Sequence, residues 1–483
     1  MNLRLTCLLS LFLSLSLTSQ ATDKPNFVFI FADDMGWTGT SVEMIPGDAR
    51  TKSDYYLTPN LEKLAEQGMR FSAAYAPAAM CTPSRAAVLT GKTPAELHIT
   101  NPGPGLGTIA NKLRPPTQLR EFPDYEVSIA EILKPAGYAS AYFGKWHLGQ
   151  GNPGQHGFDV HDGSTSNGTP GNEPADNPKD IYGLNKRAMA FMKENVEAEK
   201  PFYVQLFHYA VHGPTAAHPD SQSKFQKLQT GKRHSDAPYA GMTWDLDVSI
   251  GTLMEEIESL GIADNTYVVF LSDNGAGGRQ NNAPLNGGKS TLFEGGIRVP
   301  MIIAGPGIPA NSHSAVSVTG CDLFPTFCEW AGVDVDHKID GSSLTSLLSG
   351  KTKTLERHVS SLLFHKPHYG RGPTQTPSTA IIAGDYKLIR DYETNQHYLF
   401  NLAKDLGESK NLATSDPDRL EAMVAMMDER LASVNAQMIV PNPDYDPTAV
   451  VERRGPRGGG QGGRDGGGQR GQGGGQRGQR GTR

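Results

Sequence analysis

Cys81 begins the segment of this 483-residue chain whose residue types and spacing suggest chemistry most directly. Thr-Pro-Ser-Arg and then an alanine-rich apolar run follow it, which predicts a loop that enters a helix at this point. The first turn of a helix has unpaired N–H groups and the positive end of the helix dipole, so Cys81 and Arg85 would lie where negative charge is favoured. The competing interpretation is an ordinary buried cysteine beside a helix start.

Acidic and amide side chains follow two apolar runs. Asp33 and Asp34 come directly after residues 25–32, and Asp273-Asn274-Gly275 follows residues 266–271. Adjacent aspartates at the end of a strand often only form a turn or cap a helix, and the residues alone leave that alternative open.

Five basic side chains have suggestive surroundings. Lys145 and His147 alternate in Gly-Lys-Trp-His-Leu-Gly and would point the same way on an extended segment, although a pair of surface polar residues is the alternative. His208 and His212 lie four residues apart, as in some zinc sites, but the preceding run is strand-like and lacks the glutamate of His-Glu-x-x-His. Lys289 is flanked by glycines without the full spacing of a phosphate-binding loop.

The elements around these residues predict an α/β fold. Continuous apolar runs are typical of strands buried on both faces, and they alternate here with helical periodicities. We predict strands at 25–32, 138–143, 202–209, 266–271 and 299–304, and helices at 57–68, 128–136 and 239–260. Because the polar residues follow strand ends, the site is expected at the carboxyl edge of a large doubly wound sheet. Strands at 378–390 and 396–402 and a helix at 417–432 predict a smaller C-terminal α+β subdomain.

The string from Cys81 to Gly91 resembles the C-x-P-S-R…T-G signature of the type I, formylglycine-dependent sulfatases, members of the alkaline phosphatase superfamily. The aspartate pair, the Ser-Asp-Asn-Gly element, the block around Lys289 and the phrase at 398–405 resemble further family elements in the same order, over most of residues 25–415. Two departures stand out: Val211 and Leu406 occupy positions where the family usually has proline.

This resemblance implies a large mixed sheet flanked by helices, as in alkaline phosphatase. It implies that a maturation enzyme oxidises Cys81 to formylglycine, whose hydrate attacks sulfur and gives a covalent sulfate intermediate. It also implies a divalent metal site whose ligands are Asp33, Asp34, Cys81, Asp273 and Asn274. Carboxylate and amide oxygens are hard ligands, so Ca²⁺ is expected, with Mg²⁺ as the alternative.

The resemblance also assigns roles to the basic side chains. Arg85 and Lys145 would hold the formylglycine hydrate, and Lys289 and His212 would bind sulfate and assist the leaving oxygen. His147 would accept the proton when sulfate is eliminated.

Four segments are predicted along the chain. Residues 1–21 have one early positive charge, a short leucine-rich run and small residues near the end, as in a signal peptide, and the run is too short for a transmembrane span. A catalytic domain at 22–353, the subdomain at 354–445 and a disordered Arg/Gly/Gln-rich tail at 446–483 follow. The mature chain would keep Cys81, Cys321 and Cys328, too few for a disulfide framework. We favour buried thiols for the last two, with a bridge as the alternative.

The net charge and the predicted location restrict the classes of molecule that the protein is expected to bind. The formal net charge is −6 although the tail is strongly basic, so the rest of the chain is acidic and no nucleic-acid groove is expected. A periplasmic or extracellular enzyme acting on a sulfated carbohydrate is the leading hypothesis. The alternatives are a phosphomonoester or phosphonate hydrolase of the same superfamily and a polyanion-binding protein without catalytic activity.

Overall fold

The computed structural model describes residues 24–103, 107–167, 175–278, 280–372 and 375–449, so the predicted signal peptide and nearly all of the basic tail lie outside the described residues. In chain order the strands are β1 (Asn26–Ala32), β2 (Met69–Phe71), β3 (Ala74–Tyr75), β4 (Leu113–Arg114), β5 (Ala139–Gly144), β6 (Val160–His161), β7 (Phe202–Phe207), β8 (Thr266–Ser272), β9 (Met301–Ala304), β10 (Ser312–Ser314), β11 (Val318–Thr319), β12 (Leu362–Lys366), β13 (Ser378–Ala383), β14 (Tyr386–Asp391), β15 (Gln396–Asn401) and β16 (Val440–Pro441).

The α-helices vary from one turn to more than six. They are α1 (Pro59–Gln67), α2 (Cys81–Thr90), α3 (Pro94–Leu97), α4 (Ile129–Leu133), α5 (Ile181–Glu197), α6 (Pro219–Lys227), α7 (Ala237–Ser259), α8 (Glu294–Ile297), α9 (Leu323–Ala331), α10 (Thr345–Leu348) and α11 (Pro417–Ser433). Among these described helices, none combines the length and the apolar character that a membrane crossing requires.

Eight strands form the main sheet in the order β10-β2-β9-β8-β1-β7-β5-β6. Strand β1 is parallel to both of its neighbours, β7 and β8, and β5 is parallel to β7. Strand β9 is antiparallel to β8 and β2, which makes the sheet mixed. The predicted large mixed sheet flanked by helices is therefore confirmed.

Strand β1 shows why this sheet has two buried faces. Phe27, Phe29 and Phe31 pack into one core with α2, α4 and α9, whereas Val28 and Ile30 pack into a second core with α1, α5 and α7. Successive side chains of a strand point to opposite faces, so an uninterrupted apolar run can supply both cores.

The C-terminal subdomain is built on a four-stranded antiparallel sheet in the order β12-β13-β14-β15. One face packs against the main body through residues such as Phe364 and Phe400, and the other face packs against Met427 of α11. The single strand predicted at 378–390 is wrong: it is a hairpin of β13 and β14, and Gly384 adopts a φ of 55° in its turn.

Several helices and strands, among them α5, α6 and β12, lie outside the segments predicted from the sequence, whereas the predicted elements other than the strand at 378–390 are present with ends shifted by a few residues. Cys321 and Cys328 are buried free thiols, as expected.

Candidate active site

Four neighbouring strands, β8, β1, β7 and β5, end at the same edge of the main sheet, and the predicted site residues follow them. The backbone N–H groups of Asp33, Asp273 and Lys145 donate to carbonyls of the adjacent strand or loop at 2.9, 3.0 and 2.8 Å. These bonds extend the strand pairing beyond the strand ends, so the first residue after each strand has a defined position.

Cys81 is the first residue of α2 and is buried beneath this edge. Its Sγ lies 3.5 Å from Asp33 Oδ1 and 3.1 Å from Lys289 Nζ. The helix thus begins where sequence analysis expected it, and its N-terminus lies beside both an acidic and a basic group. Burial raises the pKa of the Cys81 thiol to about 12, although Lys145 and Lys289 oppose the effect.

Arg85 lies one turn further along α2 and is completely buried. Its Nη2 donates to Asp273 Oδ2 at 2.8 Å and lies 3.8 Å from Asp33 Oδ2, and its Nη1 donates to the Lys145 carbonyl at 2.7 Å. The guanidinium therefore connects three of the four strand ends that form the site.

Two lysines neutralise the adjacent aspartates. Lys145 Nζ donates to Asp33 Oδ2, and Lys289 Nζ donates to Asp34 Oδ1. Burial alone would raise the pKa of Asp33, but Lys145 and Arg85 hold it well below its usual range.

The carboxylates and Cys81 form a group that can hold a metal ion. One ligand atom from each of Asp33, Asp34, Cys81 and Asp273 lies within 4.8 Å of the others. Asn274 adds a fifth donor: its Oδ1 is buried without a hydrogen-bond partner among the described residues, while its Nδ2 donates to Asp34 Oδ1 at 2.7 Å. An unpartnered buried oxygen is costly, and a hard cation would satisfy it. The donor set therefore fits Ca²⁺ or Mg²⁺.

The histidines differ in their surroundings. His147 is largely buried, and burial together with Lys145 and Arg85 lowers its pKa to about 3. His212 Nε2 lies 3.8 Å from Asp34 Oδ2, at the more exposed side of the site. His208 is buried.

The extended segment predicted for Lys145 and His147 is wrong. Gly144 adopts a φ of 99° and His147 a φ of 57°, so the chain turns sharply after β5. A Cβ at position 144 would lie 2.0 Å from the Phe207 carbonyl oxygen, which explains the glycine. Both side chains still reach the site, but through these turns and not through strand alternation.

A buried ionic network supports the loop that carries Lys289, and sequence analysis assigned it no role. Glu294 Oε1 lies 2.8 Å from Lys387 Nζ, which also lies 2.9 Å from Glu408 Oε1. Glu294 Oε2 accepts from Arg298 Nε at 2.5 Å. Glu294 and Arg298 form a local i,i+4 pair, whereas Lys387 and Glu408 are far from Glu294 in the chain, so no local pattern could have paired them with it.

Comparisons with known proteins agree with this geometry. The family model described as Sulfatase matches residues 25–333, and the model described as N-sulphoglucosamine sulphohydrolase, C-terminal, matches residues 288–437. A sulfatase of Formosa agariphila is 30% identical over 83% of this chain and 86% of its own length. The N-acetylgalactosamine-6-sulfatase of Sus scrofa is 33% identical over 81% of this chain and 77% of its own length.

A solved structure is also similar. Ps i-CgsB in complex with k-i-k-neocarrahexaose has 26% identity and a TM-score of 0.70, with 84% of this chain and 93% of that chain covered. Sequence family, relatives and architecture all agree, and the chain belongs to the sulfatase family and is a sulfuric ester hydrolase.

Proposed function

We propose that the protein is a secreted, formylglycine-dependent sulfatase that hydrolyses sulfate monoesters of a carbohydrate to the free alcohol and inorganic sulfate. The observation that carries this proposal is the position of Cys81. Its Sγ lies between Lys289 and Asp33, inside the only group of potential metal ligands found among the described residues. A nucleophile at this point would meet both a cation for the sulfate oxygens and a metal site.

A maturation enzyme that uses an external two-electron oxidant would convert the Cβ of Cys81 to an aldehyde and release its sulfur as hydrogen sulfide, and water would then add to the aldehyde. The hydrate supplies one hydroxyl that attacks sulfur as the ester oxygen departs, and a second whose deprotonation expels sulfate and restores the aldehyde. A divalent cation held by Asp33, Asp34, Asp273 and Asn274 would supply Lewis-acid activation of oxygen.

The chain's own cations perform the remaining tasks. Lys289 and His212 would bind the sulfate oxygens and assist the leaving alcohol, since they lie at the open side of the site beside Asp34. Arg85 and Lys145 would hold the hydrate from the buried side. His147 would accept the proton when sulfate is released. Fixed charges of this kind stabilise a transition state without reorganisation.

The names of two similar proteins support a carbohydrate substrate. One relative is an N-acetylgalactosamine-6-sulfatase, and one similar structure holds k-i-k-neocarrahexaose. The signal-peptide pattern of residues 1–21 supports a periplasmic or extracellular location.

Mass spectrometry and turnover together test the proposal. Protein produced with a maturation enzyme should carry an aldehyde or its hydrate at position 81 and should release sulfate from sulfated oligosaccharides. Cys81→Ala should abolish turnover, whereas Cys321→Ala, the matched removal of another buried free thiol, should retain it. An active preparation whose Cys81 is a fully alkylatable thiol would contradict the proposed nucleophile.

A further inference from the structure

The loop between β12 and β13 contacts the backbone of Lys289. Gln375 Nε2 donates to the Lys289 carbonyl at 3.1 Å, and Gln375 Oε1 accepts from the Gly372 N–H at 3.0 Å. One side-chain amide thus joins the Lys289 backbone to the peptide group that follows Arg371. Arg371 is therefore held close to the proposed sulfate-binding lysine, although 82 positions separate them in the sequence.

Both ends of this loop are anchored. Lys366 is buried, and its Nζ donates to the carbonyls of His368 at 2.6 Å and Thr376 at 3.1 Å. His368 Nε2 lies 2.8 Å from Thr100 Oγ1, which ties the loop to the segment after α3. Within the loop, the Gly370 N–H donates to the Gln375 carbonyl at 2.7 Å. Arg371 therefore stands on a backbone with a defined position.

The guanidinium of Arg371 is exposed and forms no ion pair or hydrogen bond with any other residue that the structure describes. Two other arginines of the same subdomain are neutralised by ion pairs. Arg390 lies 2.6 Å from the carboxylate of Asp428, and Arg430 lies 2.8 Å from the carboxylate of Asp340. Arg371 thus combines an unneutralised charge on a long side chain with a backbone that Gln375 joins to the backbone of Lys289.

We propose that Arg371 binds a second anionic group of the substrate, next to the sulfate ester that is hydrolysed. A guanidinium can donate two parallel hydrogen bonds to a sulfate or carboxylate, which gives both affinity and orientation. The preferred substrate is therefore a carbohydrate with two negative groups on the same or adjacent sugars. This inference rests on the proposed function, because it takes the position of the reacting sulfate from Lys289.

Three sugars test the inference: one with a single sulfate ester and no other charge, one with a second sulfate, and one with a carboxylate in place of that second sulfate. Arg371→Gln should raise KM for a doubly charged sugar roughly ten-fold or more, the usual effect of losing a hydrogen bond to a charged group. It should leave kcat/KM for the singly charged sugar within about two-fold. The two doubly charged sugars show which anion the site selects.

Arg419→Gln is the matched control, because it removes the same charge from α11, on the far side of the subdomain sheet. It should leave all three sugars unaffected. Equal effects of Arg371→Gln on singly and doubly charged sugars, or no effect, would overturn the inference while leaving the sulfatase proposal intact.

Binding gives a readout without turnover. Calorimetry with Cys81→Ala protein should show that Arg371→Gln weakens binding of the disulfated sugar by a similar factor. An unchanged affinity there would refute the anionic subsite even if the matured enzyme hydrolysed no sulfate ester, which is the separate failure of the proposed function.

Discussion

Lys387→Met should destabilise the protein more at high pH than at low pH. The side chains of Lys387, Glu294 and Glu408 are 0% exposed, and the ammonium lies within 2.9 Å of both carboxylates. Methionine keeps most of the volume but leaves two buried carboxylates with Arg298 as their remaining cation. Loss of one partner from a buried ion pair typically costs about 3–5 kcal/mol.

Glu408 determines how this cost depends on pH. Burial raises its pKa to about 7 from an ordinary 4.5, with Lys387 opposing and Glu294 adding to the rise. A raised carboxyl pKa means that the folded state holds the proton more tightly, so stability falls as pH rises from the unfolded pKa to the folded one. In the parent protein this fall ends near pH 7.

Without Lys387 the proton would stay on Glu408 to higher pH, so the fall in stability would continue. Each further pH unit costs about 1.4 kcal/mol. The destabilisation should therefore be about 1.4 kcal/mol larger near pH 8 than near pH 5.5, where Glu408 is protonated in both proteins.

Urea unfolding followed by tryptophan fluorescence measures the effect at both pH values. The double variant Lys387→Met/Glu408→Gln should lose the pH dependence, because Gln can accept the Glu294 N–H in place of Glu408 Oε2 without a charge. Lys404→Met, at an exposed position of the same subdomain, should change little. Equal destabilisation at the two pH values, or a double variant as pH-dependent as the single one, would refute the reasoning.

Three further predictions concern the metal site, the choice between sulfate and phosphate substrates, and the backbone at Gly144. Asp273→Asn should weaken calcium binding measured by calorimetry. After a chelator has removed the metal, Ca²⁺ should restore activity better than Zn²⁺. Active protein with stoichiometric zinc and no calcium or magnesium would contradict the ligand assignment. Turnover of an aryl sulfate should exceed that of the matching aryl phosphate by orders of magnitude, and Lys289→Ala should raise KM and lower kcat for the sulfate; a preference for phosphate would refute this. Gly144→Ala should destabilise by about 2 kcal/mol or more, because its φ of 99° and the Phe207 carbonyl oppose a side chain; an unchanged melting temperature would count against the close approach.

The strands and their ends could be predicted because one physical cause controls both. A strand buried on two faces has an uninterrupted apolar run, and the first polar residue after the run marks its end. Asp33 and Asp273 were found in this way, and because β1 and β8 are parallel neighbours, the two carboxylates meet at one edge. The sequence resemblance added Cys81 and Lys289, whose positions no strand pattern could provide.

Contacts between distant segments could not be predicted from local patterns. Arg85 pairs with Asp273 across 188 positions, and Gln375 reaches Lys289 across 86. Such pairs depend on where helices and loops pack, which periodicity does not encode. The hairpin of β13 and β14 is different, because Gly384-Asp385 between two apolar runs is itself a two-residue hairpin signal, so this turn could have been predicted from the sequence.

The C-terminal subdomain illustrates the consequence for the site. Its residues Lys387 and Glu408 fix Glu294 at the end of the Lys289 loop, and its Gln375 binds the Lys289 backbone. The proposed sulfate-binding lysine is thus positioned from two sides by a subdomain that supplies none of the predicted metal ligands. A change in this subdomain should therefore alter substrate binding at Lys289 before it alters the metal site, since the metal ligands are held by the strand ends of the main sheet.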